Sequence, residues 1–229
     1  MKRLSRGLRV FLLGAVAVGL AAHGRAEQFS IARIYIEYNA SGNDLGYHVS
    51  LDGEDWKTLK IVGPNARTIF DVTGKAAYRD LGMTELFFEG AEPNLADFPL
   101  EDLLALFPEG EYKFIGVTVD GVPLMSTATL THAVPEQPSV AAAVNGDSIV
   151  ISWSSPACPP EGFPDREIVI GGYQVLADSF QVTLPASATQ VTLPVEFVQS
   201  LAPGVHPFEV LAIEVGGNQT ITEGTYVTE

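Results

Sequence analysis

Apolar and polar residues alternate with a period of two along much of this chain, the pattern of strands that bury one face. In "FSIARIYIEYN", Ala32, Ile34, Ile36 and Tyr38 share one parity, while Ile31, Arg33, Tyr35 and Glu37 take the other, more polar one. "GYHVSL" alternates Tyr47, Val49 and Leu51, and "WKTLKIV" and "ARTIFDV" read similarly. Later, "SIVISW" sets Ile149, Ile151 and Trp153 on one face and "GGYQVLA" sets Tyr173 and Val175. "SFQVTLP" does so with Phe180, Val182 and Leu184, "TQVTLP" with Val191 and Leu193, and "FEVLAIEV" with Phe208, Val210 and Ala212. Asn145-Gly146-Asp147 before "SIVISW" is a hairpin-turn signal. One helix is predicted at "LEDLLALF", with Asp97 as its cap, Pro99 just inside the start, and Glu101 and Asp102 in the first turn. "MTELFFEGAEP" reads equally as strand or helix, and the pattern does not assign 76–98.

Two stretches nearly repeat. "LFPEGEYKFIGVTVDG" begins at Leu106 and "LAPGVHPFEVLAIEVGG" at Leu201; Tyr112 onward aligns without a gap with Phe208 onward. Each is an alternating strand that ends in a glycine turn. Each is followed by a polar, β-branched strand, "TATLTHAV" in one and "TITEGTYVT" in the other. Both read as the final hairpin of a β-sandwich. Between the two lies "HAVPEQPSV", where Pro135 and Pro138 mark a stiff, extended joint.

The C-terminal motifs carry a resemblance. The proline start, the Asn-Gly-Asp turn, Trp153 followed by "SSP", "GGYQV" and "LAPG" entering a long strand together resemble a fibronectin type III domain. That family's tyrosine corner wants a Tyr six residues after the Leu of "LxPG". Leu201 plus six is Pro207, so the corner hydroxyl is missing here. Leu106 plus six is Tyr112, which is therefore expected to bury its ring and bond a backbone group near residues 105–107. The expected fold is all-β: two tandem immunoglobulin- or fibronectin III-like sandwiches, the first with one short α-helix. The boundaries are 1–26 for a signal peptide, 27–134 for a divergent sandwich and 135–229 for the fibronectin type III-like domain. Tyr112, Trp153 and Tyr173 are the structural aromatics. The whole layout, with "LDGEDWKTLKI", "TELFFEGAEP", "FPEGEYKF" and "ATLTHAVP", also resembles exported bacterial proteins known by their fibronectin type III domain. That resemblance implies periplasmic or extracellular residence and brings no activity with it.

Composition sharpens this picture at the start of the chain. Lys2, Arg3, Arg6 and Arg9 precede an uncharged apolar run over 10–22, and Gly24 and Ala26 occupy small-residue cleavage positions. This is the layout of a secretory signal, with an apolar run too short for a stable span. Cleavage after Ala26 would remove five of the 13 basic residues and no acidic ones, leaving eight against 28. A net charge of about −20 repels phosphate backbones and anionic lipid, so neither nucleic acid nor a membrane is an expected partner. The expected partner is a protein or glycan outside the cytoplasm. The lone Cys158 allows no intrachain disulfide, and an inert thiol is expected.

Enzyme signatures are mostly absent: no nucleophile elbow, no HExxH, no phosphate-cradling loop. His48, His132 and His206 fall in separate contexts and read as surface or rim histidines, with no metal cage and no cofactor expected. "LDGEDWKTL" is the most suggestive polar stretch. Asp52, Glu54 and Asp55 crowd one turn with the hard oxygens calcium favours, though the plainer reading is a solvated Asp-Gly hairpin turn. A regular strand would expose Trp56 beside them as a sugar-stacking or partner-contact spot, whereas a bulge would rotate it inward, as its size favours. The proline-rich "SSPACPPEGFPD" reads as an exposed loop. The sequons at Asn39 and Asn218 are expected to carry no glycan. A non-catalytic exported module is the leading reading. A secreted hydrolase using carboxylates of the first domain is the alternative, and it requires a concave pocket holding two facing acids.

Overall fold

The computed structural model describes residues 26–228. Strand β1 (Ile31–Asn39) buries Ile34 and Ile36 and turns Arg33, Tyr35 and Glu37 to the opposite face, as its alternation predicts. It pairs antiparallel with β2 (Asp44–Val62), a strand of 19 residues. The sequence suggests two strands and a hairpin turn at Asp52-Gly53, but no turn forms. The register slips between Asp52 and Trp56 and again between Trp56 and Thr58, and the strand runs on. Such bulges bend a strand and increase its twist. Up to Asp52, β2 lies between β1 and β4 (Met83–Glu89). Beyond Trp56 it lies between β3 (Thr68–Thr73) and β5 (Gly110–Thr118), and β5 pairs on with β6 (Pro123–Leu130). One bent strand thus serves both layers of the first sandwich. Its core joins Ile36, Tyr47 and Val49 of one layer to Leu59, Phe114 and Leu124 of the other.

The segment that the pattern does not assign holds β4 and a short α1 (Ala77–Leu81), a second helix beside the expected one. The expected helix is α2 (Leu100–Leu106). Asp97 does not cap it: Pro99 is itself the N-cap residue, and Asp97 sits earlier, in a turn whose amide donates to the Asn94 carbonyl. Tyr47 ties α2 to the core. Its hydroxyl donates to the Leu103 carbonyl at 3.1 Å and its ring stacks on Phe107 at 4.0 Å.

The second core lies between three strands and four. Strands β7 (Val140–Asn145), β8 (Ser148–Trp153) and β11 (Gln190–Leu193) form one layer, ordered β11-β8-β7. The other runs β10 (Phe180–Pro185), β9 (Ile170–Ala177), β12 (Gly204–Glu214), β13 (Gln219–Thr228). Ile149, Ile151, Val175, Phe208, Val210 and Ala212 are buried between them, with Trp153 and Tyr173 at 5.3 Å. The Tyr173 hydroxyl donates to Ser155 Oγ at 2.8 Å. A short α3 (Val195–Ser200), absent from the sequence reading, links β11 to β12. The fold is all-β and sandwich-like, as the alternation implies.

The joint between the cores is not a bare linker. β1 pairs in parallel with β13, so the four-stranded layer continues unbroken into β1, β2 and β4. Asn218, 2% exposed, accepts from the Ile36 amide at 2.8 Å and donates to the Thr131 and Ala133 carbonyls at 2.9 and 3.1 Å. Thr220 donates to the Pro135 carbonyl at 2.5 Å, and residues 132–135 are buried. The proline-rich loop is only partly exposed. Its Phe163 enters the first core, 5.3 Å from the Tyr38 ring, and just beyond it Arg166 grips Glu109 with two hydrogen bonds of 2.7 and 3.2 Å. Cys158 is exposed and donates to Glu136 at 3.0 Å, a bond that holds the thiol pKa up. The leader expected over 1–26 lies outside the described residues but for Ala26. Among the described residues no helix is long and apolar enough to cross a membrane.

Candidate functional site

Alternation on β2 sends Tyr47, Val49 and Leu51 into the core and therefore His48 to the other face of the sheet. His48 is nonetheless only 4% exposed. Tyr35 of β1 stands on one side of it and Glu89 of β4 on the other, each its direct cross-strand partner. In the next row Glu37 faces Gly46, and Gln219 of β13 pairs with Glu37.

The chain leaving β4 then folds back over this face. The Gly90 amide donates to the Tyr47 carbonyl, Leu45 to Pro93, Leu95 to Asn43, and Asn94 Nδ2 to Gly42. This brings Glu92 down onto Gly46. A Cβ there would stand 2.7 Å from Glu92 Cγ, so the missing side chain at Gly46 is what lets the carboxylate reach His48.

Three carboxylates therefore converge on one imidazole. His48 Nε2 is 3.6 Å from Glu37 Oε1, 3.8 Å from Glu89 Oε1 and 3.9 Å from Glu92 Oε1. These separations are too long for direct hydrogen bonds. His48 Nε2 is buried and makes none. The ring is held in place from other directions, stacked on Tyr35 at 5.0 Å and flanked by Phe87 at 5.8 Å. The second oxygen of Glu37 accepts from the Gln219 amide. Burial pushes the Glu37 carboxyl above its ordinary range, while the neighbouring His48 works the other way. Burial, then the hydrogen bond and charge of Glu89, push Glu92 up to about 7. Among the described residues no lysine or arginine lies within ion-pair distance of these three acids.

The site residues suggested by the sequence lie elsewhere. Trp56 is completely buried: the two register slips around it turn its indole inward with Leu59 and Ile61. The exposed stacking position is thereby excluded. Asp52 sits at the bulge and accepts from Ser30 Oγ at 3.0 Å, and the Asp55 carbonyl accepts from the Val119 amide. Among the described residues, the metal-capable trio whose donor atoms all lie within 4.8 Å of one another is Glu37, His48 and Glu92; Asp52, Glu54 and Asp55 do not form one. The rim reading also fails for two histidines. His48 is buried as described, and His132 is 8% exposed with its ring bonded to the Phe107 carbonyl at 2.9 Å. Half of the His48 site was visible in the sequence, since Glu37 and His48 both have outward parity. The rest needs the register of three strands and the return of 90–94.

A broad groove adjoins this site on the same sheet face. It encloses about 530 Å³ and is lined by Arg33, Tyr35 and Ser50 from one half and Gln174, Thr183 and Gln219 from the other. No family model and no curated protein matches the sequence. The structure is similar to the fibronectin(III)-like modules of Clostridium thermocellum CbhA, at 12% identity over 88% of this chain and 93% of that one, with a TM-score of 0.31. It is also similar to a two-domain fibronectin type III segment of chicken tenascin, at 15% identity over 87% and 99%, TM-score 0.28. A spore cortex lytic enzyme of Clostridium perfringens matches 41% of this chain at 18% identity, TM-score 0.33, and the match spans 28% of that enzyme. The strand order itself sets three strands against four around the second core, a β-sandwich.

Proposed function

We propose that this protein is an exported, non-catalytic binding or structural module whose two sandwiches, 27–134 and 135–229, act as one rigid body. Its partner is a protein or glycan met outside the cytoplasm on the shared sheet face. The observation that carries this is the groove, to which both halves contribute. Tyr35, Ser50, Gln174, Thr183 and Gln219 line it with an aromatic ring, hydroxyls and amides. With Arg33 and Glu214 also in the lining, that is the chemistry of polar hydrogen-bonding recognition, with Tyr35 as the aromatic contact for a sugar ring.

The hydrolase reading asks for two carboxylates standing about 5 Å or more apart across a substrate-sized space. The acids of this face instead crowd a buried imidazole, with the donor atoms of Glu37, His48 and Glu92 within 4.8 Å. The test is a pull-down of purified 27–229 on insoluble cell-wall and plant polysaccharides and on a glycan array, alongside a reducing-sugar assay. Retention without product release, weakened by Tyr35→Ala, is the expected result. Release of reducing ends that Glu89→Gln abolishes would replace the module with an enzyme. Export is checked separately: the protein recovered from its host should begin at Glu27, and a chain that keeps 1–26 in the membrane would overturn it.

A further inference from the structure

We propose that Glu37, His48 and Glu92 bind one divalent first-row transition-metal ion of the zinc kind. Two independent features meet here. The first is the convergence of three carboxylates, with no lysine or arginine in ion-pair reach among the described residues. The second is His48, 4% exposed, with its buried Nε2 unpartnered and aimed into them. A buried imidazole nitrogen without a partner is costly, and coordination satisfies it.

The spacing suits an ion at the centre. Zinc binds imidazole and carboxylate at about 2.0–2.2 Å, which places neighbouring donors of a tetrahedron about 3.4 Å apart. His48 Nε2 stands 3.6 Å from Glu37 and 3.9 Å from Glu92, and all three donor atoms lie within 4.8 Å of one another, a set that side-chain rotation can draw in around an ion. The nitrogen donor selects the metal class, because imidazole suits zinc and its neighbours whereas calcium and magnesium prefer all-oxygen shells. The outer contacts fit as well. Glu37 is oriented by the Gln219 amide and the His48 ring by Tyr35, the kind of support that fixes metal ligands. An ion here would pin the 90–94 return to β1 and β2, next to the β1–β13 junction.

The experiment is calorimetric titration of chelator-treated 27–229 with zinc chloride at neutral pH, with cobalt(II) absorption as a spectroscopic readout and thermal melts in parallel. The wild type should bind one equivalent, raise its Tm and give a d–d spectrum. Glu92→Gln and His48→Gln should each weaken binding by about tenfold or more. Gly46→Ala keeps every ligand but pushes Glu92 aside, since its Cβ would stand 2.9 Å from Glu92 Oε1; it should weaken binding without unfolding the chain. Circular dichroism checks the fold of each variant. Asp52→Asn/Asp55→Asn should bind as the wild type does. The proposal is overturned by any of three results: no saturable one-to-one binding by the wild type, loss in the Asp52/Asp55 variant with Glu92→Gln unaffected, or calcium binding at this site as tight as zinc.

Discussion

The two hairpins written alike in the sequence solve the same corner differently. Counted from their glycine turns they superimpose: Tyr112 pairs across the ladder with Ala128, and Phe208 with Gly224, each ring over a small partner. Counted from the other end they do not, because β12 starts two residues further from its turn than β5 does. In the first hairpin one residue has two tasks. The Tyr112 ring is fully buried, and its hydroxyl donates to the Pro108 carbonyl four residues back, at 3.0 Å. In the second hairpin the tasks are divided. Phe208 supplies the buried ring, while His206 bonds the Ala202 carbonyl, again four residues back, at 2.8 Å. The corner that lacks a tyrosine hydroxyl has an imidazole instead. The lesson is that a strand's two ends can belong to different alignments, and that a motif is a set of bonds rather than a residue type.

The most disruptive way to break the comparison is to remove the divided ring. Phe208→Ala should cost about 3–5 kcal/mol in chemical denaturation, since it empties the middle of the second core. A loss below about 1 kcal/mol would mean that the ring is not the anchor.

Next comes the turn end, where the hairpins diverge in another way. The Glu214 amide donates to the Asn218 carbonyl as the Thr118 amide does to Val122, but only Asn218 also reaches across the joint. Asn218→Ala leaves a buried amide and two carbonyls unpartnered, and should cost about 2–4 kcal/mol. It should also split one melting transition into two. A variant that still melts as one unit at the wild-type temperature would place the coupling elsewhere.

Tyr112→Phe removes only the corner bond and should cost about 1 kcal/mol. His206→Gln should cost less, because the imidazole is part exposed and shares its work with Asp178 and Thr228. Reversal of that order would break the comparison.

The smallest effect concerns acid. Burial alone would raise the Glu109 carboxyl, but hydrogen bonds from Arg166 and the His132 amide outweigh it and hold its pKa below the ordinary value of 4.5. A lowered folded pKa gives stability that is present above that value and fades as pH falls through the folded pKa. Glu109→Gln should therefore cost a few tenths of a kcal/mol at pH 7, and nothing once the carboxyl is protonated in both states. A pH-independent cost would remove the ion pair from the explanation.

Much of the fold was legible because its information is local. The parity of Ile34 and Ile36, the run Ile149, Ile151, Trp153 and the turn at Gly146 each need only a few neighbouring residues. β2 was not legible. Asp52-Gly53 has the chemistry of a turn, and only the partners on either side, β4 before it and β5 after it, hold the chain straight through two slips. The short helices α1 and α3 bury no residue of their own, so no apolar periodicity announces them. The His48 cluster was illegible for a third reason. Its members come from two paired strands, a neighbour and a returning segment, and no spacing along the chain encodes a register between them. Phe163, entering the first core from a loop of the second half, is hidden in the same way.

The parallel pairing of β1 with β13 also governs how the molecule is made. Glu37 meets a partner 182 residues further along the chain. At about 5–20 residues per second, a ribosome needs roughly 10–35 seconds to supply it. Until then one edge of β1 is a row of unused backbone donors and acceptors, open to any other extended chain. The last strand is thus a closing clasp as well as a support. A chain truncated before Gln219 would keep most of the first core and lose the cover on its most adhesive edge.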